Sequence, residues 1–117
     1  MNITDLVQVA FEDADINGWH DDLPTETGAR NAWIGNKMLL IVSEVVEAHD
    51  EIRNGQEVNT TLLDHKGKPL GVPSELADVV IRVADLCGIL QIDLEGIIKR
   101  KLEYNRSRGY KHGGKAF

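Results

Sequence analysis

The chain has 117 residues, of which 42% are hydrophobic and 27% are charged, so its composition is that of one ordinary globular domain. Thirteen basic and nineteen acidic residues give a net charge of −6, which argues against a general nucleic-acid binder because such binding depends on neutralising phosphates. No apolar run approaches the roughly 20 residues that cross a bilayer, and the first residues lack the pattern of a signal peptide. We therefore expect a cytoplasmic protein without a membrane partner, in which the single cysteine, Cys87, is a packed structural thiol.

Hydrophobic periodicity predicts four helices in one domain spanning residues 1–117. The first ends at Asn17-Gly18, the second is closed by Gly55, the third takes Ser74 as its N-cap after Pro73, and the fourth takes Asp93. Between the second and third helices, the polar stretch 55–72 is expected to form an extended loop or a small hairpin. The helices are expected over residues 3–17, 31–54, 74–90 and 93–108.

The third predicted helix is apolar around most of its circumference, and such a helix needs neighbours on nearly every side. In a domain of this size, part of that cover is expected to come from a second subunit. The sequence thus predicts an all-α, four-helix bundle-like fold completed by formation of a homo-oligomer, either a dimer or a tetramer. The apolar positions are Leu76, Ala77, Val79, Val80, Ile81, Val83, Ala84, Leu86 and Cys87.

The second and third predicted helices each contain a short acidic pattern, Glu44-x-x-Glu47 and Glu75-x-x-Asp78. Residues three apart project from nearly the same face of a helix, so each pattern is a pair of neighbouring carboxylates. The spacing leaves two interpretations open. The acids form a solvated surface, or they face one another and hold a divalent cation that offsets their repulsion. Oxygen-only ligands favour Mg²⁺, with Mn²⁺ as a substitute, and Glu51, one turn beyond Glu47, is a candidate fifth ligand or base.

The two acidic motifs and their surroundings resemble the metal-binding signature of the MazG-like all-α nucleoside triphosphate pyrophosphohydrolases, in their compact single-domain form. This resemblance implies a magnesium-dependent enzyme that hydrolyses a nucleoside triphosphate, NTP or dNTP, to the monophosphate and pyrophosphate. It also implies that Glu44, Glu47, Glu75 and Asp78 are metal ligands. The catalytic candidates are Glu44 and Glu47, one of which (or Glu51) is expected to orient and deprotonate the attacking water. The similar segments are Met38 to Ala48, Gly67-Lys68-Pro69, Val72 to Arg82, Lys101 with Asn105, and Tyr110 to Gly113.

Basic and amide side chains of the third and fourth helices are candidates for binding the substrate phosphates. Lys101, Asn105 and Arg108 fall on one stripe of the fourth helix, where they either hold phosphate oxygens or form an exposed basic face. Arg82 lies one turn after Asp78 and is expected to pair with Asp78 or Asp85, or to contact the substrate.

Aromatic residues near the second helix are candidates for contact with the base. Trp33 and Lys37 precede Glu44 on its side of the helix, and Trp33 is either a stacking surface or a core residue. Trp19 and His20 are candidates for the mouth of a pocket, although for His20 an ordinary surface position is favoured. The sequence contains no serine–histidine–acid set, cysteine pattern or Walker loop that would support another kind of catalysis.

Two rival functions stay open at this point. A related enzyme could act on a phosphoribosyl nucleotide, in the manner of phosphoribosyl-ATP pyrophosphatase. Alternatively, the chain is a non-catalytic helical interaction protein whose acids only solvate its surface. A nucleotide panel and a magnesium titration separate these possibilities.

Overall fold

The computed structural model describes residues 1–109. Within that range the protein is mostly helical, as predicted, and no helix is long and apolar enough to cross a membrane. The one strand pair in this part of the chain is a short antiparallel hairpin in which Leu62 lies opposite Leu70 and Leu63 opposite Pro69. The elements in chain order are α1 (Ile3–Ile16), α2 (Thr27–Arg53), β1 (Leu62–Leu63), β2 (Pro69–Leu70), α3 (Val72–Leu90) and α4 (Leu94–Ser107).

The second helix begins at Thr27, four residues before the position expected from the sequence. Its N-cap is Glu26, whose carboxylate accepts hydrogen bonds from the backbone N–H groups of Gly28 and Ala29 at 2.8 and 2.6 Å. These bonds favour the ionised carboxylate and so lower the pKa of Glu26. The expected start was wrong because glutamate is not among the usual N-cap residues.

The third helix also begins earlier than expected, at Val72, and its N-cap is Gly71 instead of Ser74. The Ser74 hydroxyl instead donates to the Pro69 carbonyl at 3.1 Å, which ties the helix to the hairpin. Gly71 has φ +117° and lies against the Thr60 carbonyl, so a side chain here would clash with backbone. The junction between hairpin and helix is therefore specified by a glycine.

Helix α3 is the central element, since α1 and α2 both pack along it while α4 makes a smaller contact with α1. Gly88 allows close approach of α1, because a Cβ atom there would lie 2.7 Å from the Phe11 Cβ. Cys87 is 7% exposed, which confirms a packed thiol, and burial raises its pKa. The buried hydrophobic residues are Ala10, Ile34, Ala48, Val72, Ala84, Leu86 and Cys87.

This core is thin, because most of its members are small and α4 contributes none of them. Meanwhile, large apolar side chains on α2 remain at least 45% exposed and recur at spacings of three and four residues, so they share one face. We call this face the α2 apolar stripe; it consists of Met38, Leu39, Val42, Val45 and Val46.

Candidate functional site

Carboxylates of α2 and α3 converge where these helices pack together. One oxygen each from Glu44, Glu75 and Asp78 lies within 4.8 Å of the others. Glu75 and Asp78 are neighbours because three residues advance a helix by nearly one turn, and Glu44 meets them across the helix interface. We call these three residues the acidic cluster. The two motifs picked from the sequence therefore face each other.

Two further acids lie beside the acidic cluster without joining it. Glu47 is exposed and outside the group of mutually close oxygens, yet its charge is felt at Glu75. Glu51 is partly buried, and its Oε2 atom is buried with no hydrogen-bond partner among the described residues. A buried carboxylate oxygen without a donor is costly. Such an oxygen is available to a cation or a water molecule.

Burial, and after it the neighbouring acids, raises the pKa of Glu75 from its ordinary 4.5 to about 7. Loss of hydration on burial is the largest cause, followed by a hydrogen bond with Glu44 and by the negative charges of Glu47, Glu44 and Glu51. Burial and the neighbouring negative charges thus both disfavour the ionised form of Glu75.

One arginine offsets part of this charge. Arg82 Nη2 lies 2.9 Å from Glu44 Oε1, and the Glu44 side chain is only 13% exposed. The pairing with Asp78 or Asp85 expected from the sequence was therefore wrong, because the Arg82 side chain reaches across to α2 instead. Among residues 1–109, Arg82 is the one cation paired with these acids, and a single guanidinium leaves most of their negative charge uncompensated.

The donor set fits a hard divalent cation. Its atoms are carboxylate oxygens alone, with no histidine or cysteine in the acidic cluster, and this chemistry suits Mg²⁺ or Mn²⁺. The unpartnered Glu51 oxygen and the raised Glu75 pKa both indicate a site that is short of positive charge.

A cavity of about 320 Å³ opens beside the acidic cluster, between α1, α2 and α3. Asp78 and Arg82 line both the cavity and the cluster region, so the two form one continuous site. The volume lies at the lower end of the range for small-molecule sites. The remaining polar or aromatic lining residues are Asp13, Asn17, Trp19, Lys37 and Asp85.

The aromatic contribution to this cavity differs from expectation. Trp19 lines the cavity and is 63% exposed, whereas Trp33 does not line it. Trp33 instead donates its indole N–H to Asp22 at 3.1 Å, which fastens the loop after α1 to α2. Lys37 connects the two rings, with its Nζ 4.6 Å from the Trp33 centroid and 6.0 Å from that of Trp19.

His20 is not the surface residue favoured by the sequence. Its side chain is 8% exposed, stacks on Phe11 at 4.9 Å between centroids, and directs its two ring nitrogens at carboxylates. Nδ1 lies 3.1 Å from Asp15 and Nε2 lies 2.8 Å from Asp85. Carboxylates only accept, so both contacts are hydrogen bonds when the ring carries two protons. His20 thereby fixes Asp85 in the wall of the cavity.

The structure does not bring the candidate phosphate-binding residues of α4 to this site. Lys101 and Asn105 are exposed, and Arg108 lies over the Tyr104 ring with its Cζ 5.5 Å from the centroid. Within residues 1–109, none of the three lines the cavity. The closing segment Tyr110 to Gly113 lies outside the described residues.

Three cavity residues were missed in the sequence. Asp85 was mentioned only as a partner for Arg82, although it lies seven residues after Asp78 and so on the same face of α3. Asp13 and Asn17 have no sequence pattern that predicts a place in the cavity, because their role depends on how α1 crosses α3.

No family model, curated protein or solved structure matches the chain.

Proposed function

We propose that this protein is a magnesium-dependent nucleoside triphosphate pyrophosphohydrolase of the MazG-like kind, which releases a nucleoside monophosphate and pyrophosphate. The observation that supports this most directly is the meeting of Glu44, Glu75 and Asp78, from two helices, within 4.8 Å. The adjoining cavity supports a nucleotide substrate, since it is of small-molecule size and shares Asp78 and Arg82 with the metal-binding region.

In this proposal the acidic cluster holds Mg²⁺, with Glu51 supplying a further oxygen from its unpartnered Oε2. Magnesium, when bound, supplies positive charge that polarises the phosphate oxygens and offsets the charge that builds during hydrolysis. The chain supplies the geometry, because two packed helices fix the carboxylates before substrate arrives. Fixed ligands of this kind need little rearrangement in the transition state.

Glu47 is the carboxylate best placed to handle the proton of the attacking water. It borders the acidic cluster, remains exposed, and stays outside the set of mutually close oxygens. The water oxygen forms a bond to phosphorus, the bond between the α and β phosphates breaks, and the water proton passes to Glu47. Attack at either phosphorus gives the same two products.

Two cations serve the polyphosphate. Arg82 and Lys37 both line the cavity, on α3 and α2, and Arg82 is also paired with Glu44. Arg82 can thus link the position of a metal ligand to the position of the substrate phosphates. Lys37, held over Trp33, provides a second positive charge on the opposite helix.

The proposal includes a homo-oligomer, most simply a dimer formed through the α2 apolar stripe. The chain exposes 8699 Å², roughly 2,300 Å² more than a compact monomer of this mass. Its radius of gyration is 17.1 Å, against about 13 Å for a compact chain of this length. An excess of this size is comparable with the area buried in obligate dimers.

Pyrophosphate release from a panel of NTPs and dNTPs, measured with and without Mg²⁺, tests the activity. Asp78→Asn removes one anionic ligand at an exposed position and is expected to reduce turnover by at least ~100-fold. Asp50→Asn is the matched control, because Asp50 is an exposed acid on the same helix as Glu44 that does not belong to the acidic cluster. Magnesium-independent turnover, or an equal loss in both variants, would refute the proposal.

A further inference from the structure

The cavity beside the acidic cluster has two chemically different ends along α3. Asp78 and Arg82 lie at the end that meets the cluster, and Asp85 lies seven residues further along the helix. At 1.5 Å per residue this separates Asp78 from Asp85 by about 10 Å along the axis. A nucleotide whose phosphates lie near Asp78 therefore directs its base toward Asp85.

The far end of the cavity is rich in hydrogen-bond acceptors. Asp85 on α3 lies at this end and Asp13 on α1 also lines the cavity. Ionised carboxylates accept hydrogen bonds but donate none. Asp85 is further held in place by His20, whose Nε2 lies 2.8 Å from its Oδ1. The second Asp85 oxygen and the Asp13 carboxylate are thus available to a ligand that offers N–H groups.

The hydrogen-bond donors that line the cavity as a whole are partly engaged. The Arg82 guanidinium is paired with Glu44 at 2.9 Å. The Lys37 ammonium lies over the Trp33 ring at 4.6 Å, and the Asn17 amide is able both to donate and to accept. Trp19, with 63% of its surface exposed, gives the cavity an apolar ring against which a planar base can stack.

We infer that this cavity selects nucleotides whose base carries an exocyclic amino group, and that it rejects uracil and thymine. The amino group donates to Asp13 and Asp85, while a neighbouring ring acceptor meets the Asn17 amide. A keto oxygen in place of the amino group points a lone pair at a carboxylate and leaves that carboxylate without a donor. This inference rests on the proposed function for its substrate, but it is testable without turnover.

Cytidine and uridine nucleotides are a matched pair, because they have the same shape and differ only in the amino or keto group at C4 and in the adjacent N3, which accepts a hydrogen bond in cytosine and donates one in uracil. Calorimetric titration of the protein with dCMP and with dUMP, both in Mg²⁺, is expected to give at least ~10-fold tighter binding of dCMP. AMP and IMP repeat the comparison in a purine. Equal affinities within each pair, a preference for the keto base, or no binding of any monophosphate would overturn the inference.

Asp13→Asn places an amide donor where the base meets an acceptor, at an exposed position on α1. We expect it to reduce the preference for dCMP over dUMP several-fold. The control is Glu12→Gln, which makes the same chemical change at the neighbouring acid; Glu12 binds Gln8 at 3.1 Å and does not line the cavity. An unchanged preference in Asp13→Asn, confirmed as folded by thermal unfolding, contradicts the assignment.

Binding and turnover together separate this inference from the proposed function. Preferential binding of dCMP without hydrolysis of any triphosphate supports the base selectivity and refutes the enzyme. Equal hydrolysis of dCTP and dUTP supports the enzyme and overturns the selectivity.

Discussion

Removing the charge of Glu75 is expected to stabilise the metal-free protein. The pKa of this carboxyl is raised to about 7, mainly by burial and then by Glu44, Glu47 and Glu51, so the ionised form at pH 8 is under electrostatic strain. Glu75→Gln keeps the shape and can still donate a hydrogen bond to Glu44, but it carries no charge. The substitution therefore relieves repulsion without leaving a cavity.

The magnitude follows from the size of the pKa change. A rise from 4.5 to about 7 corresponds to at most about 3.4 kcal/mol, because a pKa change of one is worth ~1.36 kcal/mol. Glu75 is only partly buried, and solvent screening reduces the expected gain to ~1 kcal/mol. For a domain of this size, that raises the melting temperature by about 4 °C.

The effect has a defined pH dependence. The folded-state pKa of Glu75 lies above its value in the unfolded chain, so protonation of Glu75 favours folding. That contribution is complete below pH 4.5 and is lost as the pH rises through about 7. Glu75→Gln should therefore differ from the wild type at pH 8 and match it closely near pH 5.

Thermal unfolding in EDTA at both pH values is the assay, and Glu103→Gln on the exposed face of α4 is the control. Saturating Mg²⁺ should reverse the order of the two melting temperatures at pH 8. The wild type has a charged ligand at position 75 that the variant lacks, so it binds the cation more tightly and is stabilised more. A Glu75→Gln protein that melts below the wild type in EDTA at pH 8 would refute the electrostatic reasoning.

Three other predictions concern the metal, the interface and the core. Magnesium at about 100 times its dissociation constant should stabilise the wild type by ~2.7 kcal/mol, which raises the melting temperature by roughly 10 °C. Asp78→Asn should lose most of this rise in the same thermal assay. An unchanged wild-type melting temperature would contradict a metal site. Val45→Glu places a charge in the α2 apolar stripe and should convert the oligomer to a monomer, as measured by sedimentation. Glu103→Gln should leave the oligomer unchanged. A wild type that already sediments as a monomer would count against the dimer. Gly88→Ala should destabilise the fold by about 1–3 kcal/mol through its clash with Phe11, while Gly35→Ala, which meets nothing within 4 Å, should be neutral or stabilising in chemical denaturation.

The sequence predicted the helices and the pairing of acids within each motif, because both depend on helical period, but it left the meeting of the two motifs as one of two interpretations. Glu44 and Glu75 each lie on the face of a helix that the apolar pattern turns inward. Glu47 lags Glu44 by about 60° around the helix, which explains why it borders the acidic cluster and remains exposed. Helical period alone does not show whether an acid about 60° away from Glu44 binds the cation or only lies beside the site.

The cavity could not be predicted in the same way, because its walls depend on contacts between residues far apart in the chain. His20 meets Asp85 across 65 positions, and neither residue has a local pattern that specifies the other. The role of Trp33 was also beyond the sequence, since its hydrogen bond to Asp22 depends on how the loop after α1 folds back.

The thin core and the crowded acids are best understood together. A chain whose buried residues are mostly small gains little from burial. It also carries neighbouring carboxylates at which burial, and then their mutual repulsion, raises the Glu75 pKa to about 7. Cover of the α2 apolar stripe would add hydrophobic stabilisation, and a divalent cation would remove the repulsion. The stripe and Glu44, the member of the acidic cluster that belongs to α2, lie on different faces of this helix, so a partner that stiffens the helix also fixes Glu44. Association should therefore tighten magnesium binding, and magnesium should tighten association by the same factor.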